Sequence, residues 1–228
     1  VSNEQWAHRI LSRTDPAFIP RWTVYKNTLI RELSPESVWI DVGCGDNGMV
    51  RELKGLCRKA TGVDLVAPAD AADFILADIR SLPFPDACAD VVTLRFVVEH
   101  LEKREDLAEI LRVLKPNGKL LFLTTNRWCP VVFLPQLLPY RLKHYLITKI
   151  FNVNDTDVFP THHQLNTPVR VRRAIPGFTV RSVQFISDLN THRKSVFLLY
   201  LVWHMLTVPA VLNQFRANII AQYQKTPA

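Results

Sequence analysis

The sequence predicts an α/β fold, a mostly parallel seven-stranded sheet with helices on both faces. Three observations lead to that expectation. Short apolar runs alternate with stretches of helical spacing from residue 38 onward. A glycine-bearing turn follows the first run, and an acidic residue stands at the end of each of the first three runs.

The elements follow in order. The first 36 residues read as one or two helices leading to a turn at Ser34-Pro35. Val38-Trp39-Ile40-Asp41-Val42 is short, apolar and ends in glycines, as a buried strand does. Met49 to Lys59 reads as a helix, Ala60 to Leu65 as a second strand, Phe74 to Ala77 as a third and Ala89 to Phe96 as a fourth. Leu107, Ile110, Leu111 and Leu114 then recur at helical spacing until Pro116-Asn117-Gly118 stops them. Lys119 to Thr125 is a fifth strand. Strands alternating with helices imply parallel βαβ units with right-handed crossovers.

Past Asn126 the rhythm changes. Residues 129–151 are apolar, broken by prolines, then basic, and 154–166 read as a polar loop. Thr167 to Ala174 reads as a short basic helix opened by Pro168. Phe178 to Ile186 alternates as a strand does, 193–214 forms an apolar helix, and Ala217 to Gln224 closes the sheet.

Composition sets the outer bounds. A chain of 228 residues, 48% hydrophobic and 21% charged, suits one sizeable folded domain. Its four cysteines stand far apart without CxxC or zinc-like spacing, so no metal site and no disulfide framework are expected. The N-terminal residues lack an apolar h-region, so no signal peptide is expected, and the setting reads as cytoplasmic. The net charge of +7 is uneven: residues 1–125 hold 16 Lys/Arg against 18 Asp/Glu, and residues 126–228 hold 12 against 3. The basic half is also the half with long apolar runs. That pairing points to an anionic or lipid surface, the alternative being a solvated basic face without a partner.

The chemistry concentrates in Asp41-Val42-Gly43-Cys44-Gly45-Asp46-Asn47-Gly48, at a strand-to-helix turn. Glycines there let the backbone take positive φ and pass close to a ligand. An open α/β sheet binds ligands beyond the carboxyl ends of its strands. Gly43, Gly45 and Gly48 also satisfy the dinucleotide fingerprint GxGxxG, which alone is weak. The neighbouring acids discriminate. A pyrophosphate on the helix N-terminus is opposed by Asp41 and Asp46, whereas a ligand carrying an ammonium and a sulfonium is favoured by them. Asp64 ends the second strand and is placed to accept from two ribose hydroxyls, and Asp78 follows the third and can accept from an adenine amino group.

Taken together, VWIDVGCGDNG, GVDL, ADIRSLPFPDACADVVTLRFVVEHL and LRVLKPNGKLLFLTTN, in that order, resemble the class I S-adenosylmethionine (SAM)-dependent methyltransferases, above all the branch of ubiquinone and menaquinone biosynthesis. The resemblance covers about residues 37–126 and implies a Rossmann-like fold with SAM as cofactor. It implies that Asp41, Gly43 and Gly45 line the methionine end of SAM and that Asp64, with Leu65 beside it, holds the ribose. It further implies that Asp78 and Ile79 flank adenine and that Arg95 and Phe96 close the pocket floor. The family's third glycine falls at Asn47 here, a residue that tolerates left-handed φ. The chain then divides into N-terminal helices 1–36, a SAM-binding core 37–126, and insertions 127–166 and 187–216 that shape the acceptor site.

Methyl transfer is an in-line displacement, and an oxygen acceptor also needs a base. His100, after the fourth strand, and His162 and His163, in the loop after the fifth, compete for that role, each with a structural alternative. Asp155 and Asp157 are a weaker pair without a third metal ligand. Both insertions are apolar, which favours a small apolar or lipid-linked acceptor over a soluble glycan or secondary metabolite. A catalytically silent SAM-binding protein and a nicotinamide-dependent reductase are the readings of other classes. Val196 to Leu212 is a 17-residue run without formal charge, short for a bilayer span. Arg193, Lys194 and Arg216 around it fit a helix lying in an anionic membrane interface, the inner face of a membrane, as well as a soluble lid. Nucleic acid is a poorer partner, because the positive excess is mixed with aliphatic rather than aromatic residues.

Overall fold

A computed structural model describes residues 2–139, 162, 165–173, 175–189 and 193–227. It divides into two compact units. The sheet unit comprises Tyr25–Thr125, Thr161–Gln184 and Ile219–Ala228, and the helical unit Val1–Val24, Asn126–Pro160 and Phe185–Asn218. The helical unit thus gathers the N-terminus with most of both expected insertions.

The sheet contains β1 (Val38–Val42), β2 (Lys59–Asp64), β3 (Phe74–Leu76), β4 (Ala89–Arg95), β5 (Leu114–Thr125), β6 (Phe178–Ile186) and β7 (Asn218–Lys225). Their order is β3-β2-β1-β4-β5-β7-β6. Strands β1 to β5 pair in parallel. At the far edge, hydrogen bonds link Gly177 with Thr226, Thr179 with Gln224 and Ser182 with Gln222, so β6 and β7 run antiparallel. Bonds joining Asn126 with Ala217 and Asn117 with Gln224 set β7 antiparallel to β5 as well. All seven strands are where the sequence places them, to within a few residues at each end.

The strands are apolar because both faces are covered. Trp39, Ile40, Val92, Leu94, Leu120, Phe122, Leu123 and Tyr223 are fully buried, and Phe122 stacks on Tyr223 at 5.5 Å. Between β1 and β5 two boundaries differ from expectation. The helix expected over Met49–Lys59 is only α3 (Gly48–Leu53), followed by a 3-10 turn at Lys54–Leu56. Gly55 inside that turn disfavours continuation. Strand β5 begins at Leu114, directly after α4 (Ala108–Val113), and Ala89 pairs with Leu114 while Val91 pairs with Lys119. Pro116-Asn117-Gly118 therefore forms a bulge, with Asn117 at φ 63°, as well as ending the helix.

In the helical unit, α1 (Asn3–Thr14) opens with a capping box: the Ser2 hydroxyl accepts from the Gln5 amide, and the Gln5 side chain accepts from the Ser2 amide. Ala7 of α1 packs with Phe197 and Leu201 of α7 (Lys194–Leu206), and Trp6 meets Phe197 edge-on at 5.5 Å. Helix α7 is shorter than the expected 193–214. It stops at Leu206 because Pro209 lacks an amide and its ring excludes the helical conformation from the residue before it. The Thr207 hydroxyl donates to the Trp203 and His204 carbonyls at that end. Among the described residues the remaining α-helices are α2 (Arg21–Ile30), α5 (Pro130–Phe133) and α6 (Pro168–Val171). In α6 Pro168 opens the first turn as expected, while Thr167 stands outside the four-residue helix as its cap, its hydroxyl accepting from the Arg170 amide.

Candidate active site

All nine residues expected around a cofactor lie in the sheet unit, on or just beyond the carboxyl ends of β1 to β4. Asp41 is fully buried in β1, opposite Thr93 in the β1–β4 register. The Thr93 hydroxyl donates to Asp41 at 2.6 Å and accepts from the Trp39 indole N–H at 2.8 Å. The Arg95 guanidinium donates to the other Asp41 oxygen at 2.8 Å and to the Cys44 carbonyl at 2.9 Å. The negative charge of Asp41 is therefore met inside the protein by Arg95, and the pair pins the Cys44 peptide of the loop. Asp41 is thus paired within the protein and carries no exposed surface at the rim. Tyr25, completely buried near the same charges, is pushed far above its ordinary pKa, chiefly by burial.

The loop after β1 turns through three positive-φ residues, Gly43 at 72°, Gly45 at 60° and Asn47 at 59°. A side chain on Gly43 would lie 2.1 Å from Val97, so only glycine fits there. One on Gly45 would meet nothing within 4 Å, which makes this the open stretch of backbone a ligand can approach. Asn47 replaces the glycine that the resemblance leads one to expect, and left-handed φ is preserved. Its buried amide donates to the Ala72 carbonyl at 2.9 Å, tying the loop to the segment before β3.

Asp64 closes the loop from the β2 side. One carboxylate oxygen accepts from the Gly45 amide at 2.8 Å, the other from Leu65 at 2.7 Å and Val66 at 3.3 Å. Leu65 itself is exposed. Asp78 accepts from the Arg80 side chain at 3.0 and 2.6 Å and from its amide at 2.9 Å, and the guanidinium holds its carboxyl below the ordinary range. Ile79 is half-buried beside it. Phe96, the residue after β4, sits at φ 55° with its amide donating to the Leu123 carbonyl. For a bulky aromatic residue this is strained backbone, of the kind that concentrates at binding sites. Cys44 is inert at neutral pH, since burial and then Asp41 push its thiol up to about 12.

Of the candidate bases, His100 is half-buried after β4 and His162 is exposed. The two share a neighbourhood, because the His162 amide donates to the Glu99 carbonyl at 2.7 Å. His163, like Asp155 and Asp157, lies outside the described residues. Among the described residues no three His, Cys, Asp or Glu gather as a metal site. Glu99 is the residue the sequence reading missed. It is 3% exposed, its carboxylate accepts from the Thr124 hydroxyl at 2.8 Å, and burial raises its pKa. A glutamate in VVEHL reads as ordinary surface. Nothing local announces that β5 supplies its partner.

Residues 40–122 match the family model described as a methyltransferase domain. The ubiquinone/menaquinone biosynthesis C-methyltransferase UbiE of Stutzerimonas stutzeri (strain A1501) is 51% identical over 55 residues, 24% of this chain. The core is thus similar to class I SAM-dependent methyltransferase domains. Its matched stretch spans only 22% of that curated relative's length. Among solved structures, the geranyl diphosphate C-methyltransferase from Streptomyces coelicolor A3(2), with Mg2+, geranyl diphosphate and S-adenosyl-L-homocysteine, superposes with TM-score 0.56 at 15% identity, covering 90% of this chain and 79% of that one. The cyclase SpnF superposes with TM-score 0.56 at 18% identity, covering 89% and 80%. At such identities the superpositions establish the methyltransferase fold and not its chemistry.

Proposed function

We propose that this methyltransferase domain transfers a methyl group from SAM to a small, apolar or lipid-linked acceptor. The observation behind the reading is the open Gly45 backbone held beside Asp64 at the carboxyl rim, with the exposed Asp46 next to it. A carboxylate has about four acceptor positions. Three on Asp64 are occupied by amides, the Val66 contact being long. The remaining position and the one weakly held by Val66 suit the two ribose hydroxyls of SAM. Asp46 keeps an exposed carboxylate on the solvent side of the loop, with the exposed Arg51 guanidinium 3.8 Å away as a solvent-screened partner, an arrangement that suits a cationic ligand better than a pyrophosphate.

When bound, SAM supplies an electrophilic methyl carbon whose transfer leaves a neutral thioether. The protein aligns donor and acceptor, excludes water and receives the proton that the acceptor loses. His100 and His162 are the candidates for that proton, with Glu99 positioning the chain between them. The apolar character of the acceptor is supported by the sequence that follows β5 and β6, where long runs of aliphatic and aromatic residues stand. It is also supported by the quinone-biosynthesis and geranyl diphosphate methyltransferases the domain resembles. An acceptor of that kind partitions into bilayers, so an anionic membrane surface is the partner that fits.

Isothermal titration with SAM and with NADPH tests the cofactor assignment. SAM binds, NADPH does not, and Asp64→Ala weakens SAM by about 1–3 kcal/mol through unmatched ribose hydroxyls. NADPH binding without SAM binding, or an unchanged affinity in the variant, overturns it. Radiolabel passing from methyl-labelled SAM into a solvent-extractable lipid fraction is the positive result for the acceptor class. Label recovered only in water-soluble products rejects it.

A further inference from the structure

Helix α7 is apolar on both sides. Phe197, Leu201 and His204 face inward and are buried. Leu198, Leu199, Val202, Met205 and Leu206 share the opposite side at helical spacing and are 43–59% exposed. The stripe continues past the helix through Val208, Val211 and Leu212, with Val211 81% exposed. A helix that is apolar all round belongs in a protein core or in lipid, and a contiguous exposed stripe of this size marks a contact surface.

The length of α7 limits what that contact can be. Thirteen residues reach about 20 Å at 1.5 Å per residue, against roughly 30 Å of bilayer hydrocarbon. Among the described residues no helix is long and apolar enough to cross a membrane. Such a helix can lie along a membrane surface. Charge selects the surface. From Leu189 to the last residue the sequence contains no Asp or Glu, while Arg193 and Lys194 begin α7 and Arg216 follows the stripe. Arg193 and Lys194 are exposed. Apolar side chains flanked along the sequence by cations, with the exposed Arg193 and Lys194 at one end, complement anionic headgroups above acyl chains. A second copy of the chain would bring the same cations against each other.

We infer that the outer side of α7, Leu198, Leu199, Val202, Met205 and Leu206 with the 208–212 segment, docks in the interface of an anionic bilayer. This deepens the proposed function by naming the surface that meets the membrane, and it rests on that reading only for the identity of the acceptor.

Co-sedimentation tests it, with vesicles of equal phosphatidylcholine and phosphatidylglycerol against phosphatidylcholine alone. The protein pellets with the anionic vesicles, and the pelleted fraction falls as salt is raised. The double variant Leu199→Gln/Val202→Gln, both at exposed positions, loses roughly tenfold or more in partitioning. Its SAM affinity and unfolding curve stay those of the parent, because no SAM-site residue lies on α7. Absence of pelleting overturns the proposal, as does a variant that pellets like the parent. So does concentration-dependent dimerisation that the same variant abolishes in the absence of lipid. Loss of SAM binding by the parent would strike the methyltransferase reading and leave the vesicle result standing.

Discussion

Glu99, in the turn after β4, is a buried acid whose proton links folding to pH. Its carboxylate is 3% exposed, hydrogen-bonded to Thr124 and raised above its ordinary value of 4.5, first of all by burial. Folded protein then holds this proton at pH values where the unfolded chain has lost it. Stability is accordingly greatest near and below the ordinary pKa and declines as pH rises above it, until the folded group has also ionised. Glu99→Gln cannot ionise, so this share of the decline vanishes. Urea unfolding of parent and variant at successive pH values from acid to neutral should give curves that diverge as pH rises, with the variant relatively more stable at neutral pH. Parallel curves would mean the folded carboxyl titrates like an ordinary one. In the sequence, Asp64 is the opposite case to Glu99. A strand-ending acid 19 residues past Gly45 is legible because its partners are the backbone amides of its own loop and the one before it.

At the level of elements, the alternation of apolar runs and helical spacing was enough to place every strand, since a buried parallel strand carries its signal in its own residues. What it could not place was the β5 bulge and the early end of α3, which depend on how neighbouring elements compete for the chain. The loop after β1 makes the same point with atoms. Asn47 holds left-handed φ, and its buried side chain crosses β2 where Gly62 has none. A Cβ on Gly62 would lie 2.0 Å from the Asn47 Oδ1 and 2.8 Å from the Cys44 Sγ. Gly62→Ala should therefore displace Asn47, break its bond to Ala72 and cost about 1–3 kcal/mol. Asn47→Gly removes the obstructing amide and keeps a residue suited to φ 59°. The double variant should then be less destabilised than the sum of the singles, the mark of two groups in contact. Additive losses in denaturant titrations of the four proteins would show that the two positions do not share this space.

Across the whole molecule, the sequence marked where the chain departs from the sheet but not what holds the departing parts together. The helical unit joins residues far apart in the sequence, Val1–Val24 with Phe185–Asn218. His204 on α7 is 4% exposed, with Nδ1 2.7 Å from the Ser187 hydroxyl and Nε2 2.8 Å from the Asp15 carboxylate, 189 residues away in sequence. Phe18 meets the same ring edge-on at 5.2 Å. No pattern of hydropathy reveals a histidine clamped between such distant partners, and in sequence it looks like a polar flaw in an apolar helix. His204→Ala leaves a cavity and two polar groups without their partner, so it should destabilise the helical unit by about 2–4 kcal/mol. Every residue proposed to hold SAM belongs to the sheet unit. SAM affinity at a temperature where the variant stays folded should therefore match the parent, while amide exchange along α7 accelerates. A fall in SAM affinity in step with the lost protection of α7 would mean that the two units answer as one cooperative body, with the cofactor site dependent on the helical unit for its integrity.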